Sequence, residues 1–339
     1  MVALCIVTVV ALRCTMPPGF RKARRRPVGI MGTKTELIAV APASRNKQIV
    51  SALSAAEQAL RDVETRMSQH IDASELSRFN AARGGEVCKL SGTTLDLLRL
   101  CRDVARRTDG AFDATCRPIL QVWRKAGKTK RLPADADLAG AIRRSGWDKI
   151  ELLAGGARKT VDGAGVDLGG IAKGFGIDRA VEAMRRAGAA GGLVNVGGDV
   201  RCFGRREKEG QWRVGIRGPF DGRPDFAVVR LTDAAVCTSG NYERFFKIDG
   251  KRYSHIVDPR TGRPVDCAPS VTVVAPTAAV ADAWATALSV LGEAGLKLLP
   301  ENRGIEAMLV IGTPDNYHVR LTPGLERLLA KRPDSRRTR

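Results

Sequence analysis

Short β-branched runs and helical stretches follow one another along this 339-residue chain without a regular strand–helix–strand beat, and that irregularity most restricts its fold. A doubly wound parallel sheet needs the regular beat. Its absence points to an α+β arrangement: one large domain, or two intimate lobes, with mixed or antiparallel sheets and flanking helices. Residues 31–40 alternate as a strand does, and residues 45–67 recur at the three- and four-residue spacing of an amphipathic helix. Residues 74–80 form a short helix stopped by Arg83-Gly84-Gly85. Ser91 caps a helix running to Thr108 and ending at Asp109-Gly110. A connecting region containing Pro118 and Pro133 follows. Strands are expected at 149–153, 160–161, 192–196, 212–216, 226–231 and 270–275, with helices at 171–187 and 277–291, the latter closed by Gly292. Residues 307–311 and 318–321 read as a final hairpin. No internal repeat is present.

With 44% hydrophobic residues the chain can bury a sizeable core. No stretch approaches the roughly 20 apolar residues of a membrane-spanning helix. Residues 2–12 are apolar, but they lack a basic flank and run into Arg13 and Cys14. They read either as an export signal or as a disordered leader, with Met16 and Met31 as alternative starts. The expected division is a basic leader at 1–28, a single domain at 29–325 and a basic tail at 326–339. The net charge of +20 invites a nucleic-acid partner, but half of it sits at the ends: six Lys/Arg and no acid in residues 1–30, five Lys/Arg against one Asp in residues 331–339. Aromatic residues make up only 5% of the chain, too few for base-stacking platforms, so no nucleic-acid partner is expected. The eight cysteines form no CxxC pair and mostly lie in apolar runs, as reduced thiols do.

Five segments can carry chemistry, and each also has a plain structural reading. Asp282 and Thr286 lie four apart on an otherwise apolar helix. They are two hard oxygen donors on one face, suited to Mg²⁺, or else a solvent-facing or backbone-bonded acid. In Val166-Asp167-Leu168-Gly169-Gly170-Ile171-Ala172-Lys173-Gly174, glycines precede a helix with a cation in its first turn. That is an anion site or a tight packing turn. Asn195-Val-Gly-Gly-Asp199 lets a backbone approach a ligand, or simply turns a hairpin. His255-Ile-Val-Asp258-Pro-Arg-Thr-Gly262 holds a histidine beside a turn fixed by Pro and Gly. A histidine titrates near neutrality, so His255 reads as a general base or as a hydrogen-bonded structural residue. Thr108-Asp-Gly-Ala111-Phe112-Asp113-Ala-Thr115 presents an aromatic ring beside a carboxylate, for a heterocycle or as a helix stop with a buried Phe.

In this order and at these separations the segments resemble the ApbE family, the FAD:protein FMN transferases. The opening Met31-Gly-Thr33, Ser74-Glu-Leu-Ser-Arg-Phe-Asn80 and Thr238-Ser-Gly-Asn-Tyr-Glu243 extend the likeness, which runs to about residue 299. The resemblance implies an ApbE-like fold, with Mg²⁺ held by Asp282, Thr286 and the backbone carbonyl of Ala172. It implies FAD contacts from Met31, Ala111, Phe112, Asp113, Asp167, Lys173 and Ile256, with His255 as the base. One position departs: where the family often has Tyr, this chain has His70, whose ring can also pack on flavin or adenine.

The activity so implied is transfer of FMN from FAD to a Ser or Thr hydroxyl of an acceptor flavoprotein, a redox membrane complex or a flavin reductase, with release of AMP. Hydrolysis of FAD to FMN and AMP needs the same groups, and flavin binding without turnover is a third reading. Many family members sit on the outer face of the bacterial inner membrane behind a lipoprotein signal. The resemblance therefore implies a periplasm-facing location, with membrane association through the N-terminus, if the leader is an export signal, and a cytoplasmic one otherwise.

Overall fold

A computed structural model describes residues 19–204, 206, 210–240, 245–265 and 267–334. Its centre is an eight-stranded sheet in which every neighbouring pair is antiparallel. The order is β1 (Phe20–Arg25), β2 (Thr35–Pro42), β6 (Gly191–Val196), β7 (Asp199–Gly204), β10 (Ala235–Gly240), β15 (Ser270–Ala275), β16 (Glu306–Gly312) and β17 (Tyr317–Leu321). The two-residue period of a strand decides what each side chain meets. Leu37, Ala39 and Ala41 of β2 join the core under helices α1 (Asn46–Met67), α6 (Ala172–Arg186) and α7 (Ala278–Leu291). Ile38 and Val40 point to the other face, which is covered by a three-stranded sheet of β8 (Trp212–Ile216), β9 (Ala227–Leu231) and β18 (Leu329–Lys331). The central strands are thus buried on both faces, which is why they read as nearly continuous apolar runs. The α+β expectation holds.

Helix α1 buries Ile49, Ala52, Leu53, Ala56, Leu60, Val63 and Met67, one stripe at helical spacing. Ser74 caps α2 (Glu75–Ala81) and Ser91 caps α3 (Gly92–Arg107), each hydroxyl accepting from the amide three residues on. Glu75 joins these ends. Its Oε2 accepts from the Ser91 amide, the Ser91 hydroxyl and the Thr94 hydroxyl, and its Oε1 from Arg66. A second three-stranded sheet, β3 (Val87–Lys89), β5 (Gly156–Lys159) and β4 (Ile150–Leu153), packs beside them.

Several expectations change. The strand expected from Met31 begins only at Thr35, because Met31 (φ 49°) and Gly32 (φ 63°) turn the chain between Ile30 and Thr33. The strand expected at 160–161 lies earlier, at β5. The connecting region around Pro118 and Pro133 contains two helices, α4 (Arg117–Thr129) and α5 (Asp135–Arg143). Pro118 sits in the first turn of α4, where no amide partner is lost, and Ile119, Trp123 and Ala126 form its buried face. That face makes a satellite core with Leu138 and Ala141 of α5 and with a hairpin of β11 (Phe245–Ile248) and β12 (Lys251–Ser254). A small ladder of β13 (Val257–Asp258) and β14 (Arg263–Pro264) adjoins it.

The domain ends shift too. The basic leader expected at 1–28 is ordered where it is described: Phe20–Arg25 is an edge strand, with Arg24 and Arg26 on Glu36 and Arg25 on Glu57. The basic tail expected from 326 cuts through α8 (Pro323–Leu328), and β18 follows it, so the domain runs past residue 325. Residues 1–18 and 335–339, and 241–243 of the Thr238–Glu243 motif, lie outside the described residues.

Candidate active site

Helices α6 and α7 meet through glycine. A Cβ on Gly174 would collide with the main chain at Ala278 and Ala279, so only glycine permits this approach. The contact turns the polar pair of α7 toward the first turn of α6. The Gly174 amide donates to Asp282 Oδ2 at 3.1 Å, and a Cβ on Gly170 would lie 2.9 Å from Thr286 Oγ1. The candidate metal pair, the glycine turn and Ala172 at the start of α6 therefore share one place.

Asp282 is 4% exposed. Burial pushes its carboxyl up to about 6; Lys173 opposes that rise and nearby Asp199 reinforces it. Lys173 pairs with Asp199, and its Nζ lies 3.8 Å from Asp282 Oδ1. Burial disfavours the ammonium, but the two carboxylates outweigh it and hold the lysine above its ordinary range. Asp199 follows Gly197 (φ 65°) and Gly198 (φ 106°) at the tip of the β6–β7 hairpin. The Asn195-Val-Gly-Gly-Asp199 segment is thus a hairpin turn that also delivers a buried carboxylate to Lys173.

The donors fit a hard divalent cation. Asp282, Thr286 and the Ala172 carbonyl all offer oxygen donors, Gly170 lets the turn before α6 come close to Thr286, and Asp282 carries a buried charge that its neighbours only partly balance. No cluster of three His, Cys, Asp or Glu suited to a metal exists among the described residues, so a cation here would draw on hydroxyl and carbonyl oxygens as well.

His255 is half-buried and directly follows β12. The turn after it is rigid. Asp258 accepts from the Arg260 amide at 2.9 Å, from its Nε at 2.9 Å and from its Nη2 at 2.8 Å. Burial works against the Asp258 charge, but these bonds hold its carboxyl below the usual range. The Gly262 amide donates to the Asp258 carbonyl, and Trp123 Nε1 donates to the Gly262 carbonyl at 2.7 Å.

The helix-stop segment joins the same place. Ala111, Ile256 and Val290 form a small buried cluster linking that segment, the histidine turn and the end of α7. Phe112 is buried, with its ring 3.5 Å from the position a Gly170 Cβ would take. Asp113 is used locally: its Oδ1 accepts from the Thr115 amide at 2.8 Å and the Thr115 hydroxyl at 2.7 Å, while burial raises its pKa. Asp167 is buried and accepts from the Gly169 amide at 2.9 Å and from Arg124 Nη2 at 2.8 Å. Met31 donates its amide to Glu64 and lays its side chain over Gly176 of α6. His70 stands apart. It is exposed, and its ring makes no hydrogen bond, ion pair or ring contact among the described residues.

Sequence reasoning did not single out Asp199 as the partner of Lys173, nor Arg124, which bridges Asp167 to Gln69. It also missed Asp178, which accepts from the Ala278 and Ala279 amides and from Arg201, capping α7 in place of that helix's own N-cap residue. An acid amid the apolar Ile177, Ala180 and Val181 was the available signal.

The sequence profile of the ApbE family matches residues 31–309. Among curated relatives, a FAD:protein FMN transferase of Vibrio cholerae is 31% identical over 279 residues, covering 81% of this chain and 84% of the relative. One of Treponema pallidum is 34% identical over 284 residues, covering 78% of each. Among solved structures, the flavin transferase ApbE of Vibrio cholerae superposes with a TM-score of 0.76 at 27% identity, covering 91% of this chain and all of that one. The ApbE protein of Thermotoga maritima gives 0.80 at 28% identity, covering 91% of this chain and 99% of its own. With the profile spanning most of its length and the curated relatives covering about four fifths of it, the chain belongs to the ApbE family.

Proposed function

We propose that the chain is a Mg²⁺-dependent FAD:protein FMN transferase. The observation that carries this is the meeting, at the glycine contact of α6 and α7, of a hard-oxygen set with Lys173 and the glycine turn, joined through Ala111, Ile256 and Val290 to the rigid turn bearing His255. Mg²⁺ held by Asp282, Thr286 and the Ala172 carbonyl would supply Lewis-acid neutralisation of the pyrophosphate. Lys173, in the first turn at the positive end of α6, favours the same anion. Phe112, Ala111, Ile256 and Met31 give FAD apolar contact. Asp113, Asp167 and His70 complete the proposed FAD set, Asp167 chiefly by holding the glycine turn.

His255 takes the proton of the acceptor's Ser or Thr hydroxyl as its oxygen bonds to the FMN phosphorus. The pyrophosphate P–O bond breaks and AMP leaves with that electron pair. The acceptor is a flavoprotein of a redox system. Membrane attachment through residues 2–12, outside the described residues, belongs to the same proposal.

The test is incubation with FAD, Mg²⁺ and an acceptor peptide, followed by mass spectrometry. Expected are a mass gain of one FMN on the peptide, its loss with EDTA, and a fall in kcat of about 100- to 10,000-fold in His255→Gln with FAD affinity kept. Free FMN with no gain on the peptide would make the enzyme a pyrophosphatase instead.

A further inference from the structure

The hairpin leading into His255 has two unlike faces. Phe246, Ile248 and Tyr253 face α4: Phe246 lies over Gly127, Ile248 is 1% exposed, and the Tyr253 ring stacks at 5.6 Å from that of Trp123. Asp249 (φ 47°) and Gly250 (φ 75°) form the tight turn that suits a two-residue hairpin loop. Trp123 also holds the Gly262 carbonyl, so one helix fixes both the hairpin and the histidine turn.

The remainder of the hairpin is cationic. Lys247 and Arg252, paired with each other across the two strands, are exposed on the outer face, and Lys251 is exposed beside the turn opposite Ile248. Exposed Lys125 and Lys128 of α4, with Lys130 just after it, lie on the helix that the hairpin covers. None of the six forms an ion pair among the described residues, and the only carboxylate on the hairpin is Asp249 at its tip. On the turn that follows the hairpin, by contrast, Arg260 is matched by Asp258 and Arg263 by Asp135. An unmatched basic surface on the hairpin whose second strand ends one residue before the proposed base calls for an acidic partner delivered to that base. Single-stranded nucleic acid fits it less well. The hairpin has one exposed aromatic, Phe245, and Arg252 already lies over its ring at 3.8 Å, so it offers no row of stacking platforms.

We infer that the exposed basic side chains of the β11–β12 hairpin, with those of α4 and Lys130, form the docking surface for the acceptor polypeptide. It binds a segment rich in Asp and Glu that flanks the hydroxyl to be modified. This rests on the transferase reading for its purpose, but the docking can be measured without any transfer.

Two fluorescein-labelled peptides with one central Thr serve as probes, one flanked by Asp and Glu, the other by Asn and Gln. Binding is followed by anisotropy and transfer by mass. The wild-type chain should bind the acidic peptide at least tenfold more tightly, with affinity falling as salt rises. The triple variant Lys247→Glu/Lys251→Glu/Arg252→Glu should lose that preference, keep its FAD affinity and gain affinity for a Lys-flanked peptide, a rescue that a misfolded variant cannot give. In transfer, the variant should show a raised KM for the acidic peptide at unchanged kcat. Equal binding of the two peptides by the wild type overturns the inference even where both are labelled, and the transferase reading then stands. Charge-selective binding without labelling by the wild type sustains the docking surface and removes the transferase reading. A poly-dT oligonucleotide that binds the same surface more tightly than the acidic peptide overturns it as well.

Discussion

Asp282 shows how one side chain can have both a structural and a chemical use. Its Oδ2 accepts from Gly174 and its other oxygen faces Lys173, while burial keeps its charge costly. Asp282→Ala should lower Mg²⁺-dependent transfer by more than about 100-fold, since it removes the one charged donor of the set. It also leaves the Gly174 amide unpaired, at a cost of about 1–3 kcal/mol. Rates with and without Mg²⁺, alongside circular dichroism, check this; a folded variant with full activity would remove the metal assignment. Asp282 and Thr286 were visible from their spacing alone. Asp113 and Asp167 were visible only as acids in unusual segments, and nothing local announced that Thr115 and Arg124 would occupy them.

Among the elements, the contact between α6 and α7 governs the site. Gly174→Ala sets a methyl against the main chain at Ala278 and Ala279, neither of which can rotate away. The expected loss is about 1–3 kcal/mol, read as a lower urea midpoint, with weaker Mg²⁺ dependence because Asp282 and Thr286 are pushed off the α6 turn. A second joint holds α2 to α3 through Glu75. Burial disfavours its charge, but bonds from Thr94, Ser91 and Arg66 outweigh that and hold its pKa below 4.5. Because the folded value is the lower one, this contribution is complete above the ordinary carboxylate pKa and fades as pH falls through the folded value. Glu75→Gln should therefore be less stable than wild type by about 1–3 kcal/mol at pH 7, with the gap closing toward pH 3 in denaturant titrations.

For the molecule as a whole, the central sheet is a sandwich filling with two different covers, and its first edge strand comes from a stretch whose charge suggested a leader. The Arg/Lys-rich segment Phe20–Arg25 pairs along its full length with β2, and Arg24, Arg25 and Arg26 find acids on β2 and α1. A chain lacking residues 1–28 should melt measurably below one lacking residues 1–18, at about 1–2 °C per kcal/mol lost for a protein of this size. Equal melting temperatures would show that β1 adds nothing to the sheet.

The sequence by itself determined the helices whose apolar stripes and caps are local, such as α1, α2, α3 and α7, and the strands whose β-branched runs are buried on both faces. It also carried the family's segments in order. It concealed α4 and α5, because two prolines read as breaks although Pro118 sits where a helix tolerates it. Only the tertiary structure decided which polar groups meet. Gly174 and Asp282 are 108 residues apart, Asp178 and Ala278 100 apart, and Lys173 of α6 finds its carboxylate at the tip of the β6–β7 hairpin, 26 residues on. Periodicity and capping are written within a few residues, whereas a buried charge is satisfied by whatever the packed helices and sheet bring beside it, and that depends on the whole chain having folded.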